Sequence, residues 1–251
     1  MLAAAETQKT VKSAQRIIDI IEHFVSTRAP ATLSVLASAL NLPKSSCLAL
    51  LRTLEANGYI YEVTPRTGYY PTRRWLDKAQ IIAASDPLIA KMRPIMAALA
   101  EETRETLIFG KRSDHRVMYI DVVEWPQTLR YTAAAGQFKP LHGTASGKAI
   151  LAGMKPDERD ALLKRYKFQK LTPRTIMNKA LLETEIQTGI RRGWHVSRGE
   201  NEPDTIAVAV PVVTANDVFV LVVAGIKTRM ERKIAHIGAK LRDAMQMHQM
   251  L

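Results

Sequence analysis

The run HGTASGKA, residues 142–149, puts an imidazole, two hydroxyls and an ammonium within eight positions. Three chemistries use such a set. A phosphate cradle needs four residues between its first glycine and a Gly-Lys pair, then Ser or Thr. Here Gly143 and Gly147 enclose three, and Ala149 follows Lys148. A hydrolase built on Ser146 and His142 lacks the strained G-x-S-x-G elbow that exposes a nucleophile. What remains is a loop of small residues opening a helix. There a ligand approaches backbone N–H groups closely, and a plain helix start is the simpler alternative.

A second set lies in LNLPKSSCLALLRTLEANGYI, residues 40–60. Cys47, Leu50, Leu51 and Leu54 repeat at helical spacing and mark a buried face. Lys44, Ser45 and Ser46 stand at the start of that helix, and Arg52 stands further along it. Small polar and basic groups at a helix N-terminus suit entry into a DNA major groove and contact with phosphate. Cys47 is the chain's one cysteine. At an apolar repeat position it reads as a small core residue, and it excludes an internal disulfide and a cysteine-rich zinc site. The six histidines, His23, His115, His142, His195, His236 and His248, show no ligand spacing. No catalytic residue, metal site or cofactor is expected.

These residues need particular elements to hold them. Ile17, Ile20, Ile21 and Phe24 predict a first helix, and Leu33, Leu36, Ala37 and Leu40 a second. The third helix stops at Asn57-Gly58, where glycine suits a left-handed cap. YIYEV and YYP around TPRTG predict a hairpin whose tip carries Arg66. Three helices and a hairpin make a winged helix-turn-helix over 1–72. A small bundle with a solvated basic face is the alternative. A linker helix over 73–85 follows. The unit over 86–251 begins with a helix over about 88–104. Strands at Thr106–Lys111, Val117–Val123 and Leu129–Ala134 come next, then helices near 156–166 and 178–192. The hairpin TIAVAVPVV–TAND–VFVLVVAGI and a last basic helix complete it. The expected class is α+β: a winged helix-turn-helix, a linker helix, and a GAF/PAS-like antiparallel sheet flanked by helices.

The 251 residues carry a formal charge of +12, which favours a polyanionic partner. Ten Lys and Arg face six Asp and Glu in residues 1–85, and 26 face 18 in the rest, so the excess is spread. No apolar stretch is long enough for a membrane span and MLAAAETQKT lacks a signal-peptide core. A cytoplasmic protein without a membrane partner is expected.

Nearly the whole chain, from about 11 to 248, resembles the IclR-type transcriptional regulators. The resemblance rests on Ser13 and Arg16 in KSAQRIIDIIE, on LSVLASALNLPKSSCLALLRTLEANGYI, on PLHGTASGKAILAG and on RRGWHVSRGENEPDTIAVAVPV. It implies a regulator of double-stranded, palindromic operator DNA, acting as a homodimer or dimer of dimers and controlling a catabolic operon in response to a small organic or aromatic acid. The DNA-facing set is then Arg16, Lys44, Ser45, Ser46, Leu48, Ala49, Arg52 and Arg66. Thr144, Ala145 and Ser146 become one wall of an effector pocket.

The chain departs from the family pattern at two places. Where an aromatic or His and then Arg usually precede the Leu-Leu of the reading helix, it has Leu48 and Ala49, residues suited to thymine methyls. Where the pocket often carries Asp, Cys and two Ser, it has Ser197, Ala207, Val222 and Ala224. These losses point to a ligand larger and more apolar than a small keto acid, an aromatic acid or related aromatic, with Trp194, Phe219 and Met118 as candidate lining or, equally, as core. Two competing readings are an enzyme on a sensor-type sheet and a DNA-binding scaffold whose second domain takes no ligand.

Overall fold

The computed structural model describes residues 11–64, 68–214 and 217–247, in two compact units that divide between Asp86 and Pro87. Arg66, His248 and the turn residues Ala215 and Asn216 lie outside the described residues.

In the first unit, α1 (Lys12–Thr27), α2 (Leu33–Ala39) and α3 (Lys44–Ala56) precede a two-stranded ribbon, β1 (Ile60–Glu62) and β2 (Tyr69–Pro71), and α4 (Arg74–Ala84). Arg28 ends α1 in the left-handed conformation, its N–H on the Phe24 carbonyl. The Thr32 hydroxyl caps α2 by accepting from the Val35 N–H at 3.3 Å. Asn41 turns with positive φ, and α2 and α3 then meet at a bend of 113°, within the range of about 90–120° for a helix-turn-helix. Gly58, at φ 73°, takes the left-handed position after α3. The core is aliphatic, with Ile20, Phe24, Leu36, Cys47, Leu51, Leu54 and Ile60 buried. Tyr69 bridges Ala31, which ties the ribbon to the segment before α2.

The second unit starts with α5 (Pro87–Thr103) and carries a six-stranded antiparallel sheet in the order β5-β4-β3-β8-β7-β6. Its strands are β3 (Thr106–Ser113), β4 (Arg116–Val123), β5 (Phe138–Pro140), β6 (His195–Arg198), β7 (Thr205–Val213) and β8 (Val218–Ile226). Helices α6 (Ala145–Gly153), α7 (Pro156–Arg165) and α8 (Lys179–Arg192) lie between β5 and β6, and α9 (Lys227–Met230) and α10 (Ile234–Met247) end the described chain.

The alternation of side chains along a strand divides this unit into two cores. Leu107, Phe109, Ile206, Val208, Leu221 and Val223 pack toward α5 and α10. Ile108, Ala209, Val220, Val222 and Ala224 pack toward α6 and α8. A β-bulge on β4 leaves Ile120 unpaired between Tyr119 and Asp121. It turns Tyr119 toward the α6 side and Asp121 toward α5, where Arg93 Nη1 donates to both carboxylate oxygens at 2.8 and 2.9 Å.

Three expectations are corrected. Leu129–Ala134 is no strand but an irregular segment, and the short β5 was not foreseen. Side chains hold the segment instead: Thr106 Oγ1 donates to the Tyr131 carbonyl at 2.6 Å, and Arg229 Nη1 to the Leu129 carbonyl at 2.9 Å. Phe219 and Trp194 do not face α6. Phe219 stacks on Phe109 with ring centroids 5.4 Å apart. Trp194 lies so close to α10 that a Cβ on Gly238 would meet its ring at 2.3 Å.

Candidate functional site

In the first unit the two faces of α3 separate as its periodicity demands. Cys47, Leu51 and Leu54 are buried, while Lys44, Ser45, Ala49 and Arg52 are exposed and Ser46 and Leu48 half-buried. Burial raises the Cys47 thiol above its ordinary value, so the reactive thiolate is disfavoured. Pro43 precedes α3 and its first turn holds no acidic residue. The start of α3 is therefore a positive end flanked by Lys44, Ser45 and Ser46. Arg16 is half-buried on α1.

In the second unit a cavity lies between the start of α6 and the strands. Thr144, Ala145, Ser146, Ser197, Ala207, Val222 and Ala224 all line it. Tyr119, Tyr131, Asn201 and Thr205 line it too, and sequence reasoning missed them. About 20 Å3 is open to the centre of a water molecule, space for about one water.

The α6 end of the cavity is built from HGTASGKA. The Thr144 hydroxyl caps α6, accepting from the Gly147 N–H at 3.0 Å and donating to the Pro140 carbonyl at 2.8 Å. Ser146 Oγ donates to Thr144 Oγ1 at 3.1 Å, and Ser197 Oγ to the Gly143 carbonyl at 3.2 Å. The N–H groups of Ala145 and Ser146 belong to the first turn, which a helix leaves without intrahelical partners. A Cβ on Gly147 would sit 2.1 Å from the Leu141 carbonyl oxygen, so this glycine is required by backbone packing.

Lys148 is 1% exposed. Its Nζ donates to Glu200 Oε1 at 2.7 Å and to the Val196 carbonyl at 3.0 Å, which ties α6 to β6 and the loop after it. His142 Nδ1 and Nε2 bond the Tyr166 hydroxyl and the Gln169 carbonyl, each at 2.8 Å. With Ser146 bonded to Thr144, the serine and histidine are not joined, and the arrangement lacks the nucleophile–base contact of a hydrolase.

Two phenols, Tyr119 and Tyr131, add polar surface to the cavity wall. Burial, reinforced by the Glu202 charge, pushes the Tyr131 phenol up to about 12, and burial raises Tyr119 as well. Glu202 Oε1 accepts from Lys139 Nζ at 2.9 Å and from Asn201 Nδ2 at 3.1 Å. Ala207, Val222 and Ala224 give the same cavity an apolar surface.

A helix-turn-helix with a wing and a sheet enclosing a small cavity together specify a type, and comparison with known proteins decides which. The family described as "Bacterial transcriptional regulator IclR C-terminal" matches residues 80–248, and the "IclR helix-turn-helix domain" matches 13–64. The chain belongs to the IclR family. It is therefore a transcriptional regulator with a helix-turn-helix DNA-binding domain and an IclR-type effector-binding domain. The HTH-type transcriptional regulator KipR of Bacillus subtilis is 26% identical over 240 residues, 94% of either chain. The crystal structure of the Thermotoga maritima IclR superposes with a TM-score of 0.79 at 23% identity, covering 94% of this chain and 96% of that one. An IclR homologue from Microbacterium hydrocarbonoxydans, solved in complex with 4-hydroxybenzoate, has a TM-score of 0.71 at 17% identity, covering 94% and 99%.

Proposed function

We propose that this regulator senses an aromatic acid and, as a homodimer or dimer of dimers on a palindromic operator, controls a catabolic operon in the cytoplasm. A two-fold dimer presents two equivalent reading helices, which is why the operator is palindromic in this reading. The exposed side of α3 carries the reading residues. Lys44, Ser45, Ser46, Arg52, Arg16 and Arg66 supply phosphate and base contacts, and Leu48 and Ala49 supply apolar contact to thymine methyls.

The observation that carries the ligand reading is the combination of chemistries lining the cavity. The α6 N-terminus with Thr144 and Ser146 suits a carboxylate. Ala207, Val222 and Ala224 suit a flat apolar ring, for which the cavity must open beyond its one-water volume, and the Tyr119 and Tyr131 hydroxyls suit a polar substituent. The 4-hydroxybenzoate held by the Microbacterium relative combines these three features, a carboxylate, a ring and a hydroxyl. Calorimetry against benzoate, 4-hydroxybenzoate, glyoxylate and pyruvate tests the assignment, with the aromatic acids expected to bind and to alter a mobility shift with operator DNA. Preference for the two small acids would sink it. The small volume of the cavity favours one second reading, a DNA-binding scaffold without ligand. Operator binding that none of these acids alters would support that alternative.

A further inference from the structure

The cavity holds about one water, so an organic effector enters it by displacing its walls. The walls differ in stiffness. Ala207 lies on β7 and Val222 and Ala224 on β8, and β8 is hydrogen-bonded on both sides, to β3 and to β7. Tyr119 lies on β4 beside the bulge, where Gly110 pairs with Tyr119, Phe109 pairs with Asp121 and Ile120 is left over. A bulge interrupts the ladder, so β4 gives way at Tyr119 more easily than the central strands do. Tyr131 and Asn201 lie in irregular backbone and give way as well, but β4 is the yielding wall that carries an ion pair to a helix on the opposite face.

That pair is Asp121 with Arg93. Arg93 Nη1 donates to both carboxylate oxygens at 2.8 and 2.9 Å, and Asp121 Oδ1 accepts from the Val122 N–H at 2.9 Å, which fixes the carboxylate to its own strand. Arg93 immediately precedes Pro94, the proline inside α5. Pro94 has no N–H for the Ala90 carbonyl, so α5 bends most easily over this turn. Residues 85 and 86 alone separate α5 from the end of α4 at Ala84.

We propose that Asp121 and Arg93 relay the effector signal: displacement of Tyr119 turns the bulge, and the ion pair carries that turn into the bend of α5 and so along the chain toward α4. This rests on the cavity as the effector site and adds to the aromatic-acid reading. Neither residue lines the cavity, so both are positioning residues. With 60% of the Arg93 side chain exposed, the pair contributes little to stability, and its loss should cost response before it costs folding.

The test separates binding from response. Calorimetry of 4-hydroxybenzoate, and mobility shift with and without it on operator DNA obtained by binding-site selection, are run on wild type, Arg93→Met and Asp121→Asn. Both variants should bind the acid as the wild type does. Both should lose about two- to thirtyfold of its effect on operator affinity, the range for residues that couple two sites. Lys91→Met removes an exposed cation from the same helix and should leave the response intact. A response unaltered in either variant of the pair, or an equal loss in Lys91→Met, would overturn the proposal. Coupling is reciprocal, which gives a ligand-free arm. The Tyr119 amide donates to the Gln137 carbonyl at 2.9 Å, and the Gly136 amide donates to the Tyr119 carbonyl at 2.8 Å. Arg93→Met should speed hydrogen exchange at both of these amides as well as in α5. If no aromatic acid binds, or none alters operator binding by the wild type, the aromatic-acid reading fails on its own. The exchange rates then decide the relay, and a change confined to α5, or none, overturns it.

Discussion

Replacing Lys148 by Met separates a structural lysine from a ligand-binding one. The wild-type ammonium is 1% exposed, with Glu200 Oε1 at 2.7 Å, the Val196 carbonyl at 3.0 Å and Glu185 Oε2 at 3.9 Å. Lys148→Met leaves a carboxylate with an 11%-exposed side chain without its cation and strips the Val196 carbonyl of a donor. Breaking a buried ion pair from one side costs about 3–5 kcal/mol because the remaining charge stays desolvated. For a unit of this size that corresponds to a fall of roughly 6–20 °C in its unfolding midpoint. Adding Glu200→Gln removes the orphaned charge and lets an amide reach the Val196 carbonyl, so the double variant should recover most of the loss. The assay is thermal and urea unfolding of wild type, single and double variants, with calorimetry of a bound aromatic acid beside it. A single variant of wild-type stability, or a double variant no better than the single, would refute this reasoning. So would a large loss of affinity at unchanged stability, which would mean that the ammonium meets the ligand.

Other outcomes follow from the same geometry. His195 is 2% exposed, and burial, with Arg192 and Lys148 nearby, holds its imidazole down to about 3 from 6.5. The unfolded chain therefore takes up this proton first. The stability is present above pH 6.5 and is lost as pH falls from 6.5 toward 3, by up to roughly 1.4 kcal/mol per pH unit. Burial lowers His142 in the same sense, so urea midpoints should fall between pH 6.5 and 5, and a flat profile there would contradict the burial of both rings. Arg52→Ala should weaken DNA binding on all sequences and reduce the salt slope by about one. Ala49→Arg should instead alter the sequence recovered by binding-site selection, with about 1–3 kcal/mol of new base discrimination. Phe219→Leu should destabilise by about 1–2 kcal/mol through loss of its stack on Phe109 while leaving aromatic-acid affinity unchanged. A selective loss of affinity would return this ring to the cavity.

Much of the fold is legible in the sequence because local chemistry decides it. Apolar spacing marks α1, α2 and α3, Gly58 supplies the left-handed stop, and alternation marks β7 and β8. The segment 129–134 is not legible, because what holds it comes from Thr106 and Arg229, far away along the chain. Phe219 and Met118 fail as lining for a reason that the sequence itself contains. Strand side chains alternate, so once Val222 and Ala224 face the cavity, Phe219 must face away. On β4 the same parity selects Tyr119 in place of its neighbour Met118, and the bulge at Ile120 then reverses the alternation beyond it. Asn201 and Tyr131 sit in irregular backbone, where no periodicity reports direction.

The opening run HGTASGKA thus holds two kinds of residue. Gly147 and Lys148 look like phosphate-loop residues and are both consumed inside the protein, the glycine by the Leu141 backbone and the lysine by Glu200. Their identities are fixed by packing whatever ligand is bound. Thr144, Ala145 and Ser146 shape only the end of the cavity that offers donors. The discriminating chemistry must come from what faces that end, and those residues are spread over β4, the 131 segment and the loop after β6. On the aromatic-acid reading proposed above, two chains with the same run anchor the same carboxylate and still read different molecules. In this chain those residues are Tyr119, Tyr131, Asn201 and Thr205. On that reading the ligand should be sought by varying the ring substituent, with the carboxylate itself kept constant.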